Sequence, residues 1–167
     1  MTGSFVGNKS VILRGNMEKK TVYETESRED TATLGERLGQ EAKPGEIYTL
    51  SGDLGTGKTV FAGGFAKGLG IAEPITSPTF TILQMYEEGR MPLYHFDVYR
   101  IGDAEEMEEI GYEDCFFGSG VCLIEWAELI EELLPQKRTE IMIEKDMGRG
   151  FDYRRITVTK KESAGEK

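Results

Sequence analysis

The 167-residue chain predicts an α/β domain: a mixed sheet, parallel at its centre, flanked by helices and carrying an inserted antiparallel hairpin. Three observations predict it. The strand-like run "EIYTL", residues 46–50, enters a glycine cluster and then a helical segment. Strand and helix patterns alternate on both sides of that junction. Two further strand-like runs, "TFTILQMY" and "PLYHFDVY", flank "EEGRM", as a hairpin requires.

The elements follow in order. Residues 1–16 read as a disordered N-terminal extension, 17–160 as a single domain and 161–167 as a disordered tail. "KTVYETE", 20–26, reads as the first strand. Ser27 is placed to cap a helix, with Asp30 in the reciprocal position. Thr31, Leu34, Leu38 and Ala42 then share one helical face, and Pro44–Gly45 ends it. After "EIYTL" a second helix starts near Lys58 and stops at Gly70. Gly63 and Gly64 weaken that helix by about 1 kcal/mol each relative to Ala; close packing on the sheet is the expected reason for them. "DAEEMEEIGYEDCF" reads as one helix capped by Asp103, with Glu106 answering it. "VCLIEW" is an apolar strand ending in an acid, "AELIEELL" a short helix stopped before Pro135, and "TEIMIEKD" and "RRITVTK" are the last strands.

Composition narrows the function. A net charge of −10 argues against strong direct nucleic-acid binding, which needs a basic face. No apolar run reaches the roughly 18 residues of a membrane span. Cys115 and Cys122, seven residues apart with no accompanying His pattern, make neither a metal site nor a disulfide framework; reduced thiols in a cytoplasmic protein are expected.

The glycine cluster carries the chemistry. Gly52, Asp53, Leu54, Gly55, Thr56, Gly57, Lys58 and Thr59 fit G-x-x-x-x-G-K-[ST], the P-loop. Glycines let successive N–H groups curl around a phosphate, and the following helix adds the positive end of its dipole. Lys58 brings a mobile charge for the outer phosphates. Thr59 offers its hydroxyl to magnesium.

Such a loop works with an acid on the magnesium side, from a neighbouring apolar strand. Glu125 ends "VCLIE". Asp97 lies in "YHFDVYR", with His95 and Tyr99 expected on the same strand face. Trp126, the only tryptophan, reads from composition as a core anchor. A GTPase would need D-x-x-G and [NT]-K-x-D; "TKKE", 159–162, is a near miss and no convincing D-x-x-G exists, so ATP is preferred. A small-molecule kinase would use "GRGFDYRR", 148–155, as a lid, but those residues lead directly into a strand.

"SGDLGTGKTVFAGGFAKGLGI", "ITSPTFTILQMYE", "LYHFDVYRIGDAEEMEEIGYEDCF" and "VCLIEWAELIEELLP" occur in this order. Together they resemble the TsaE family, the P-loop ATPase of bacterial tRNA threonylcarbamoyladenosine biosynthesis, over roughly residues 20–160. The resemblance implies that residues 52–59 hold ATP phosphates with Thr59 on magnesium. It implies that Thr79 of "SPTF" is a polar contact near the γ-phosphate and that Asp97 is an essential acid. Glu125 would complete the magnesium shell, with Trp126 beside it. Asp97 would orient the attacking water or hold magnesium through a water. The implied partners are the carbamoyltransferase subunit (TsaD) and its inactive paralogue (TsaB), with tRNA reached only through them. No internal arginine finger is evident, although Arg100 follows "DVY", so hydrolysis is expected to be slow alone. Gly63 departs from relatives that carry a basic residue there. The competing readings are a metabolite kinase and a non-hydrolysing nucleotide switch.

Overall fold

A computed structural model describes residues 9–13, 18–78 and 80–162. Its strands are β1 (Lys9–Leu13), β2 (Glu18–Thr25), β3 (Ile47–Ser51), β4 (Leu83–Tyr86), β5 (Leu93–Asp97), β6 (Val121–Glu125), β7 (Arg138–Lys145) and β8 (Arg154–Lys161). They form one sheet in the order β1-β2-β8-β7-β3-β6-β5-β4. The central strands β7, β3, β6 and β5 are mutually parallel, whereas β4, β8, β2 and β1 pair antiparallel. All five residues of β6 are buried. That is why its sequence is an unbroken apolar run, as a strand covered on both faces demands.

Helices α1 (Arg28–Glu41) and α2 (Lys58–Gly68) cover one face. Leu34, Leu38, Phe61 and Phe65 pack there on Leu50, Leu93, Leu123 and Ile141. On the other face α3 (Glu105–Glu109), α4 (Tyr112–Phe116) and the 3₁₀ segment Ala127–Leu133 close over Phe96, Cys122 and Ile124. The Ser27 hydroxyl caps α1 by accepting from the Asp30 N–H at 3.0 Å. The Asp30 carboxylate answers at the Glu26 N–H, one residue before the expected partner.

Four expectations need correction. Residues 1–16 are not wholly an extension: Lys9–Leu13 pairs antiparallel with β2, whose open edge offers hydrogen bonds to a β-branched "KSVIL" run. The remaining residues of that segment, and 163–167 of the tail, lie outside the described residues. At the other boundary Lys161 belongs to β8, not to a tail. The acidic segment after Asp103 is two short helices, because Gly111 takes φ +72 and breaks the first. Gly64 does not pack on the sheet: a Cβ there would lie 2.0 Å from the Ala32 carbonyl oxygen, so it lets α1 and α2 touch, while Gly63 meets nothing within 4 Å.

Candidate nucleotide site

The turn from β3 into α2 is forced by two glycines. Gly52 takes φ +146, and a Cβ there would lie 2.5 Å from the Ile143 carbonyl oxygen; Gly57 takes φ +103 at the α2 N-cap. No other residue type takes both positions without strain. The Thr56 hydroxyl donates to the Asp53 carbonyl at 2.9 Å and closes the loop. Lys58 is buried, and its ammonium donates to the Gly52 carbonyl at 2.7 Å. Thr59 is exposed in the first turn of α2.

The two acids meet at the ends of β5 and β6. Asp97 and Glu125 are directly paired in register, and both are buried. One Asp97 oxygen accepts from the Ser77 hydroxyl at 2.7 Å and the other from the Tyr99 N–H at 3.0 Å. The Glu125 carboxylate accepts from His95 Nε2 at 2.8 Å. Strand β5 ends at Asp97, so Tyr99 does not continue the strand face but turns its ring onto Trp126, with centroids 4.8 Å apart. Trp126 holds φ +62, a left-handed conformation unusual for a bulky residue, and its ring lies 3.8 Å from the Lys58 ammonium.

One cavity of about 560 Å³ brings these groups together. Leu54, Gly55, Thr56, Gly57, Lys58, Thr59, Asp97, Glu125 and Trp126 all line it. Asp53 does not line it and contributes its carbonyl to the loop instead. Thr79 lies outside the described residues. The cavity also takes Arg28 from α1, Ser77, Lys145 at the end of β7, Phe151 and Asp152 from the β7–β8 connection and Arg154 at the start of β8, none of which the sequence assigned as site residues. For Phe151, Asp152 and Arg154 the signal was the "GRGFDYRR" stretch, 148–155, read only as the lid of a competing function. Arg154 Nε donates to the Thr56 carbonyl at 2.6 Å, tying that connection to the phosphate loop.

Five basic side chains (Arg28, Lys58, Arg100, Lys145, Arg154) and three acidic ones (Asp97, Glu125, Asp152) line the cavity. In a chain of net charge −10, that local balance suits a polyanion. Among the described residues no cluster of three His, Cys, Asp or Glu forms a metal cage. Among the groups that line the cavity, the Thr59 hydroxyl and the Glu125 carboxylate are hard oxygen donors. They fit magnesium, which is commonly held by one or two carboxylates plus substrate phosphates.

A family model described as "Threonylcarbamoyl adenosine biosynthesis protein TsaE" matches residues 25–155. The chain is 50% identical over 141 residues to the tRNA threonylcarbamoyladenosine biosynthesis protein TsaE of Bacillus subtilis, covering 84% of this chain and 86% of that one. It is 46% identical to the Treponema pallidum protein of the same name, covering 70% and 86%. Among solved structures, Bacillus subtilis YdiB superposes with a TM-score of 0.72 at 45% identity, over 87% of this chain and 88% of that chain. Among the described residues, no helix is long and apolar enough to cross a membrane.

Proposed function

The chain belongs to the TsaE family, and from that premise we propose a magnesium-dependent ATPase that serves the threonylcarbamoyladenosine modification of tRNA. The observation that carries it is the register pairing of Asp97 with Glu125 at strand ends that open into the phosphate-loop cavity. In this reading the backbone N–H groups of 53–59 and the α2 N-terminus hold the β- and γ-phosphates. Lys58 moves from the Gly52 carbonyl to the outer phosphates. Thr59 and Glu125 would hold magnesium, whose charge, when bound, would offset that developing on the transferring group. Asp97 acts through a water, and the Ser77 and Tyr99 donors fix the direction of its remaining lone pairs.

Arg100 lines the cavity with its guanidinium over the Phe80 ring, 4.8 Å from the ring centroid, and in this reading no finger role is assigned to it. A missing finger lowers turnover by about 10³-fold or more, and hydrolysis is slow until a partner binds. The partners in this reading are TsaD and TsaB, and tRNA is reached only through them, as the acidic charge suggests. The place of work is the cytoplasm.

The test is ATP hydrolysis by the purified chain with and without the TsaD–TsaB pair, alongside ATP-dependent capture of that pair from lysate. Stimulation and capture are expected. Phosphate appearing on a small acceptor instead would establish the kinase reading, which the position of Phe151 and Asp152 at the cavity favours. Binding without turnover, even with partners, would establish a switch.

A further inference from the structure

His95 is buried in the core, with 1% of its surface exposed, yet the mechanism above gives it no task. It sits two residues before Asp97 on β5, opposite Leu123 and diagonal to Glu125 on β6. Its neighbours Leu93 and Leu123 are fully buried. Nε2 lies 2.8 Å from Glu125 Oε2, and Nδ1 has no partner among the described residues. His95 does not line the cavity, whereas Glu125 does.

We propose that His95 is a positioning residue for Glu125, holding one carboxylate oxygen from behind so that the other is presented to the nucleotide-bound cation. The inference rests on the functional reading above. Three features carry it. First, a buried imidazole nitrogen without a partner carries a desolvation cost that an apolar side chain would not, so stability does not account for it. Second, a carboxylate only accepts, so the hydrogen of this bond is carried by Nε2, while Nδ1 has no partner among the described residues. Third, an imidazole N–H orients a carboxylate without the permanent charge of lysine or arginine, which would compete with a cation for it. Among the described residues His95 is the side-chain donor to the Glu125 carboxylate, and it reaches that carboxylate from the adjacent strand.

The test compares the parental chain with His95→Leu and His95→Gln, whose amide nitrogen reaches the Nε2 position. Calorimetry measures ATP affinity in magnesium and in EDTA; turnover is titrated with magnesium. In His95→Leu, the magnesium needed for half-maximal turnover rises about 10-fold or more and the affinity gained from magnesium shrinks alike. ATP binding in EDTA and the melting temperature hold or rise. His95→Gln recovers most of the magnesium response. His95→Asn, whose shorter amide reaches only the Nδ1 position, loses it as leucine does and covers the case in which leucine does not fold. A leucine variant with parental magnesium dependence overturns the role, as does a glutamine variant without recovery, or a loss shared by EDTA binding and melting temperature. A parental chain whose binding and turnover ignore magnesium removes the functional reading itself, and this role with it.

Discussion

The Lys58 ammonium lies 3.8 Å from the centroid of the Trp126 ring while donating to the Gly52 carbonyl. The phosphate-loop lysine is therefore held between its own loop and the residue that follows Glu125. Trp126 takes up this position at a cost, since a left-handed non-glycine residue is disfavoured by about 1–2 kcal/mol. Strain of that kind gathers at functional sites, and here it accompanies the contact of the indole with the phosphate-loop lysine.

Trp126 is the only tryptophan, so its emission reports this contact. Phosphates that draw Lys58 away remove a cation from the indole face. Adding ATP is expected to change the fluorescence intensity saturably, and Lys58→Ala to abolish the response. Trp126→Phe should keep binding, measured by calorimetry, while losing the signal. A full fluorescence response in Lys58→Ala would refute the coupling.

The paired acids predict a divergence of activity and stability. Asp97→Asn and Glu125→Gln are each expected to lower kcat by about 10²-fold or more, the range for losing a positioned acid–base or electrostatic group. Neighbouring buried carboxylates repel each other, so neither variant should melt below the parent by more than a few degrees. Turnover and thermal denaturation on the same preparations check both halves. Parental turnover in both variants would refute the site.

Much of this was legible in the sequence because it depends on local spacing. The glycine spacing of 52–59 dictates its own backbone, and the apolar run of β6 delivers Glu125 to its end. The β4–β5 hairpin brings Asp97 to the same edge. What escaped depends on contacts distant in the chain. Arg154 reaches Thr56 across 98 positions, and no periodicity records that bond. His95 appeared only as a neighbour of Asp97 on its strand; its bond to Glu125 needed the β5–β6 register. The strand Lys9–Leu13 needed the free edge of β2.

The glycines of α2 offer a matched pair. A methyl group at Gly63 would meet nothing within 4 Å, while one at Gly64 would meet the Ala32 carbonyl oxygen at 2.0 Å. Gly63→Ala should stabilise by up to about 1 kcal/mol through helix propensity alone. Gly64→Ala gains the same propensity but forces α1 away from α2, and a net loss of about 1–3 kcal/mol is expected, the range for overpacking. Urea midpoints at unchanged slope measure both. Equal effects at the two positions would refute the close helix contact.

Strands β7 and β8 should respond to acid through Glu140. Burial pushes the Glu140 carboxyl up, but hydrogen bonds from Arg138 and Lys161 outweigh it and hold the group below its ordinary value of 4.5. Arg138 Nε lies 2.9 Å and Lys161 Nζ 3.1 Å from the carboxylate, and Arg138 is itself buried. A group depressed in the folded state stabilises the fold at pH values above 4.5 and loses that contribution as pH falls through its lowered value. Glu140→Gln should therefore be less stable than the parent at pH 7. The gap should close on acidification below about pH 4.5, where the parental carboxylate gains the proton that removes its advantage. Urea midpoints at about pH 7, 4.5 and 3 for both chains measure this directly. A gap that is constant across those three values would mean that the Arg138–Glu140–Lys161 cluster holds strands β7 and β8 by packing and not by charge.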